Sequence, residues 1–262
     1  MRYGVCFGVE AFDRVKTAKA AGFDFIECGF ANLSRFDNSR FQSFKNALEE
    51  NNILCEAANC FIPSDYRLTG NDISDKKELC EYIEKGMARG EQIGLKIVVF
   101  GSGGARNLPD GFSFKKGFLQ LRDFLRDIAS PIAENHGITV VTEPLRFCES
   151  NIINTVSESV MLAAATECGN IAGLADIFHM VNSGDAYDNI RRLKGEIVHS
   201  HISCPLSRDN MKRIYPSDIN EFDYRGFIDA LREAGCERCS VEAKCSDFEK
   251  DAFAAAAVLK AL

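Results

Sequence analysis

Glu143, Asp176, His201 and Glu242 are the residues whose types and spacing best suit shared chemistry. Each closes, or nearly closes, an apolar run: Ile138-Thr-Val-Val-Thr-Glu143, Gly173-Leu-Ala-Asp176, Ile197-Val-His-Ser-His201 and Ser240-Val-Glu242. Taken singly, a carboxylate at a strand end is commonly the cap of the following helix. A lone histidine on a strand is commonly a hydrogen-bonded core residue. Four such residues on four consecutive strands, at the same level, resist that explanation. Three carboxylates and an imidazole gathered out of water are costly unless a cation neutralises them. One divalent ion would do so, and the oxygen-rich set favours Mn²⁺, Mg²⁺ or Co²⁺ over a thiolate-type zinc centre.

Those four ends need a scaffold that brings them together. Apolar, β-branched runs alternate with helical patterns throughout. The strands fall at Arg2–Gly8, Phe23–Gly29, Ile53–Phe61, Leu95–Gly101, Ile138–Glu143, Ile171–Asp176, Glu196–Ser203 and Cys239–Lys244. Several are nearly all apolar, as parallel strands covered on both faces must be. Helical patterns include Glu10–Ala21, Asp75–Ile93, Phe114–Asn135, Thr155–Cys168 and Asp223–Ala234, with Asp75 or Ser74 and Asp247 as caps. Glycines follow several helices, at Gly22, Gly94, Gly137 and Gly235, where a left-handed residue ends the helix. Eight βα units in 262 residues predict one (β/α)8 TIM barrel domain spanning 1–262, a fold that needs about 250 residues. The non-periodic insertions Phe30–Asn38, Pro63–Ser74, Ser102–Ser113 and Cys204–Glu221 each follow a strand. They therefore fall on the face where barrels build their sites.

The net charge of −7 argues against a nucleic-acid or membrane surface, since both attract a basic face. No apolar run approaches the ~18 residues of a membrane span, and the N-terminal residues do not read as a leader. Eleven scattered cysteines without a secretion signal are expected to be reduced thiols of a cytoplasmic protein. Cys236-Glu-Arg-Cys239 has no second pair to complete a tetrahedral shell, and reads as a helix-to-strand turn.

From Glu143 onward the sequence resembles a known family. Glu143-Pro-Leu…Glu149, followed by Asn154-Thr155, is similar to the Glu-Pro-Leu…Glu…Asn-Thr signature of xylose-isomerase-like sugar isomerases and epimerases, the D-tagatose and D-psicose 3-epimerases among them. Asp176-Ile-Phe-His179 resembles the family's Asp-x-x-His, His199-Ser-His201 its His-x-His, and Val241-Glu242 follows in order. The resemblance implies that Glu143, Asp176, His201 and Glu242 hold one metal ion, with Glu143 and Glu242 also the acid/base pair. It further implies that His179 and Glu149 contact substrate, and it leaves His199 as a supporting or core residue. The family's arginine six residues after the ligand histidine is replaced by Ser207, which makes Arg208 the candidate substrate contact. Ser102-Gly-Gly-Ala-Arg106 either contacts substrate, through Arg106 or through glycine N–H groups that could cradle a phosphate, or is a tight loop.

The expected activity is proton transfer on a small keto sugar or related polyol ketone through a metal-stabilised enediolate. An inosose-type dehydratase and a non-catalytic sugar-binding barrel remain alternatives. A small carbohydrate is the expected partner, with no nucleic acid or membrane, and a homo-oligomer is compatible with the sequence. All four histidines lie at or after residue 136, which disfavours a three-zinc DNA-repair endonuclease of the same superfamily.

Overall fold

A computed structural model describes residues 1–206 and 213–262. Its eight strands are β1 (Arg2–Cys6), β2 (Phe25–Gly29), β3 (Leu54–Asn59), β4 (Ile97–Phe100), β5 (Thr139–Thr142), β6 (Ile171–Asp176), β7 (Ile197–Ile202) and β8 (Arg238–Val241). Neighbours pair in parallel in sequence order, and β1 pairs with β8 to close the barrel. This is the (β/α)8 architecture that the alternating pattern predicts, and each strand overlaps its expected run.

Period-two alternation sorts each strand's side chains between the barrel axis and the helical shell. Inside, Phe25, Ala57, Ile97, Val99, Val141 and Leu174 form a separate buried cluster. This apolar plug fills the barrel floor. Two residues further along their strands, the same inward parity carries Glu27, Glu143 and Asp176. The floor is therefore apolar and the mouth is acidic. Gly4 on β1 makes room for the largest plug residue, since a Cβ there would lie 2.3 Å from the Phe25 ring. Outside, a larger cluster packs the strands' other faces against the helices.

The helices show where local chemistry modifies the sequence expectation. The helical pattern Phe114–Asn135 is continuous in course but changes pitch: α-helix Phe114–Phe124, a π-helical stretch Leu125–Ala129, then α-helix Ser130–Asn135. Pro131 is the cause. It has no N–H to donate and its ring would crowd the carbonyl four residues back, so the turn before it widens. The pattern Glu10–Ala21 opens with a 3-10 turn at Val9–Ala11 before the helix Arg14–Ala21. The insertion Phe30–Asn38 is largely helical: Phe30–Arg35 forms one helix, and Asp37 caps a second, Asn38–Glu50, by accepting from Arg40 N–H at 2.8 Å. Cys236 and Cys239 are buried free thiols at the turn into β8, as the unpaired CxxC suggests. None of the described helices is long and apolar enough to cross a membrane.

Gly4→Ala is expected to destabilise the fold by about 1–3 kcal/mol through overpacking against Phe25. Denaturant unfolding measures this, and an unchanged midpoint would show that the plug has slack.

Candidate functional site

The acidic mouth is organised around His201. Its Nε2 lies 2.9 Å from Glu27 Oε1. Its Nδ1 lies 3.0 Å from Glu143 Oε1, 3.1 Å from Glu242 Oε2 and 3.5 Å from Asp176 Oδ2. One ligand atom from each of Glu143, Asp176, His201 and Glu242 falls within 4.8 Å of all the others. The structure thus brings together the four strand-end residues picked out by spacing.

Each carboxylate is positioned by contacts away from the centre. Asp176 ends β6 and caps the helix Ile177–Ser183, its Oδ1 accepting from Phe178 N–H at 2.7 Å and His179 N–H at 3.0 Å. Asp176 therefore caps the helix with Oδ1 and turns Oδ2 toward the centre. Glu242 Oε1 accepts from Asn59 Nδ2 at 3.1 Å, so β3 orients a residue that follows β8. Glu143 packs over Gly101, where a Cβ would lie 2.2 Å from Glu143 Oε2. That glycine is required by close approach. The inward oxygens Asp176 Oδ2 and Glu242 Oε2 are buried and face the His201 ring and the Arg213 guanidinium by charge contact, without a well-formed hydrogen bond. A Glu/Asp/His/Glu donor set whose acidic oxygens turn toward one positively charged centre fits a hard or borderline divalent ion.

Glu27 is the principal residue that the sequence reading missed. It is fully buried on β2, and its Oε2 meets His199 Nε2 at 3.0 Å while Oε1 meets His201. A carboxylate bonded to the far nitrogen of a ligand histidine fixes the ring's tautomer and raises its basicity. The available signal was a charged residue inside the apolar run Phe23–Gly29, with the same parity as Phe25. His199, expected as a supporting residue, is buried on the other arm of Glu27.

Electrostatics follow from this packing. Burial would raise the Glu27 pKa, but His201 and His199 overcome it and hold the carboxyl well below its usual range. Burial would lower the His201 pKa, but Glu27, Asp176 and Glu143 drive it well above 6.5. Against desolvation, the Arg213 charge and contact with His201 hold Asp176 low, and His201 holds Glu143 low. His179, buried, is itself shifted down by desolvation.

The remaining candidates are distributed differently. His179 faces the site, its Nδ1 accepting from Arg146 N–H at 3.1 Å and its Nε2 lying against the Arg213 guanidinium. Glu149 pairs with Arg146 at 2.6 Å and lines a cleft of about 360 Å³ with Phe178, Arg213, Glu242, Ala243 and Lys244. That volume is within the range of small-molecule sites, about 300–1,000 Å³. Arg208 lies outside the described residues. Arg213, twelve residues after His201 and absent from the sequence candidates, is the described arginine at the centre, with Nη1 3.0 Å from Asp176 Oδ2 and against Glu242 Oε2.

Arg106 requires correction as a substrate contact. It is completely buried and donates to the carbonyls of Phe100 at 3.0 Å, Glu143 at 2.8 Å and Ile153 at 3.1 Å. Burial lowers its pKa to about 10, which leaves it charged at neutral pH. Its job is to tie the ends of β4 and β5 together. The preceding glycines form the short helix Gly103–Arg106 that turns the side chain inward.

The sequence matches the xylose isomerase-like TIM barrel family over residues 15–262, and the chain belongs to that family. Among curated proteins no sequence match was found. Among solved structures, a D-allulose 3-epimerase from Methylomonas sp. is similar at TM-score 0.84 and 17% identity, with 100% of this chain and 97% of that one covered. The 3-keto-D-glucoside 4-epimerase YcjR from E. coli is similar at TM-score 0.77 and 19% identity, covering 99% and 98%. The IOLI protein with a bound zinc atom is similar at TM-score 0.74 and 17% identity, covering 100% and 96%. At these identities the structural likeness is one of fold.

Two outcomes are expected. Arg106→Met should cost about 2–4 kcal/mol, because buried carbonyls lose charged donors; equilibrium unfolding measures it, and a loss below about 0.5 kcal/mol, the scatter of surface substitutions, would contradict the tying role. The second concerns chelator-treated protein. The raised His201 contributes stability that is fully present below its ordinary 6.5 and lost as pH rises through its higher folded value. The depressed Glu27 contributes stability present above its ordinary 4.5 and lost as pH falls through its lower folded value. Thermal unfolding of metal-free protein should therefore peak between those two ordinary values and decline on the alkaline side. A His201→Asn variant should lose the alkaline decline; retention of it would assign the effect elsewhere.

Proposed function

We propose that this chain is a divalent-metal-dependent isomerase or epimerase of a small keto sugar or related polyol ketone. The observation that carries the proposal is the convergence of Glu143, Asp176, His201 and Glu242 to within 4.8 Å of one another at the barrel mouth. These four residues would hold the ion, with Mn²⁺, Mg²⁺ and Co²⁺ favoured by the donor set. When bound, the ion supplies positive charge to a substrate carbonyl oxygen as the neighbouring C–H is ionised.

The protein's own groups do the remaining work. Glu143 and Glu242 reach the centre from the ends of β5 and β8, 3.0 Å and 3.1 Å from His201 Nδ1. One carboxylate takes the proton from the carbon beside the ketone. The other returns a proton to the opposite face for epimerisation, or to the adjacent carbon for isomerisation. His179 and Glu149 orient substrate hydroxyls along the cleft, with Arg146 holding Glu149 in place. The apolar plug beneath the site keeps water from entering through the barrel floor. The sugar and keto-glucoside epimerases of the same fold support this reading, as does the zinc-holding relative for an ion in such a barrel. A cytoplasmic location accords with eleven unpaired thiols.

The test is an NMR screen of keto sugars, inososes and 3-keto glycosides in deuterium oxide, with Mn²⁺ added during turnover and chelated before acquisition. Incorporation of one solvent deuteron at carbon without loss of water is expected. Loss of water would reassign the chain to the dehydratases, and no ion-dependent exchange on any of these classes would overturn the proposal. On the substrate so found, Glu143→Gln and Glu242→Gln should each lower turnover by about 10²–10⁴-fold, the usual contribution of a positioned acid or base. Near-full activity in either would remove that residue from the acid/base pair.

A further inference from the structure

Asp176 and Glu242 each have only one oxygen free for a cation. Asp176 Oδ1 is committed to the N–H groups of Phe178 and His179, and Glu242 Oε1 accepts from Asn59. The remaining atoms, Asp176 Oδ2 and Glu242 Oε2, are both met by the same nitrogen, Nη1 of Arg213. The guanidinium therefore stands on two of the three carboxylates that converge with His201.

We infer that Arg213 is a tethered cation that competes with the divalent ion for Asp176 and Glu242, so that ion uptake requires its guanidinium to leave. The inference rests on the ion site proposed above and concerns how that site is filled. A divalent ion bonded to both oxygens would lie against Nη1, and the repulsion between ion and guanidinium is weakly screened out of water. The backbone of Arg213 stays where it is. Lys244 N–H donates to Arg213 O at 3.0 Å, Cys204 N–H donates to Ile214 O at 2.8 Å, and Ile214 bridges both Cys204 and Lys244. This pins the arginine between the segments that follow β7 and β8. Exit is consequently a side-chain rotation. The Phe178 ring, 5.1 Å from the guanidinium carbon, forms one wall of its path, and the cleft that Arg213 shares with Glu149 offers the destination.

An internal competitor lowers apparent affinity for the ion by the free energy of its own ion pairs, and it stabilises the ion-free chain by the same contacts. Arg213→Met and Arg213→Gln remove the competitor and leave all four donors. Isothermal titration of chelator-treated protein with Mn²⁺ should give a Kd at least about tenfold lower in both variants than in the parent. The ion-free variants should melt at a lower temperature than the ion-free parent, with the deficit shrinking at saturating Mn²⁺. If the Arg213→Met substitution leaves too little folded protein to titrate, the glutamine variant carries the same comparison. A parent chain that binds one Mn²⁺ while the variants bind it equally or more weakly overturns the competition and leaves the ion site standing. A parent chain that takes up no Mn²⁺ overturns the ion site itself, and the competition with it.

Discussion

Burying Glu27, Glu143 and Asp176 around one imidazole costs free energy that only positive charge in the same space can offset. Glu242, partly exposed at the rim, adds a fourth carboxylate. Against these stand His201, driven toward its protonated form, and the Arg213 guanidinium. The other features of the mouth follow from this constraint. Asn59 and the N-terminus of the helix Ile177–Ser183 each take one carboxylate oxygen and aim the other inward, while Arg106 holds the backbone carbonyl of Glu143.

The barrel supplies the geometry by a simple device. The same inward parity that stacks Phe25, Val141 and Leu174 into a floor delivers Glu27, Glu143 and Asp176 one layer higher. Apolar packing thereby sets the height of the acidic ring. Rigid strands hold it, and residues beyond their ends, Arg213 and Lys244 among them, line the cleft above it. The supporting contacts are long in sequence and short in space: Asn59 with Glu242, Glu27 with His199 and His201. Closure of β8 onto β1 is what makes those contacts available.

The strand pattern made the fold legible, because parallel strands sheathed by helices must be apolar on both faces. Glu143, Asp176, His201 and Glu242 were legible for a related reason: each is polar at the end of such a run. Glu27 was hidden inside its run, where strand assignment absorbed it and no neighbouring motif drew attention to it. Arg106 was misjudged because a glycine-rich stretch after a strand looks like an exposed loop, whereas those residues form a helical turn whose buried guanidinium bonds the carbonyls of Phe100 and Glu143. Arg213 lies in an insertion without periodicity, and only the bridge between Cys204, Ile214 and Lys244 shows where it goes. The helix Phe30–Arg35 was concealed by the same absence of periodicity.

Whether one ion draws the four strand-end residues into a common sphere is settled most directly by anomalous X-ray diffraction from crystals equilibrated with Mn²⁺ or Co²⁺. The account requires a single anomalous peak per chain, bonded to Glu143, Asp176, His201 and Glu242, with Glu27 hydrogen-bonded to the far nitrogen of His201. A peak elsewhere, or none between these side chains at full loading, would contradict it.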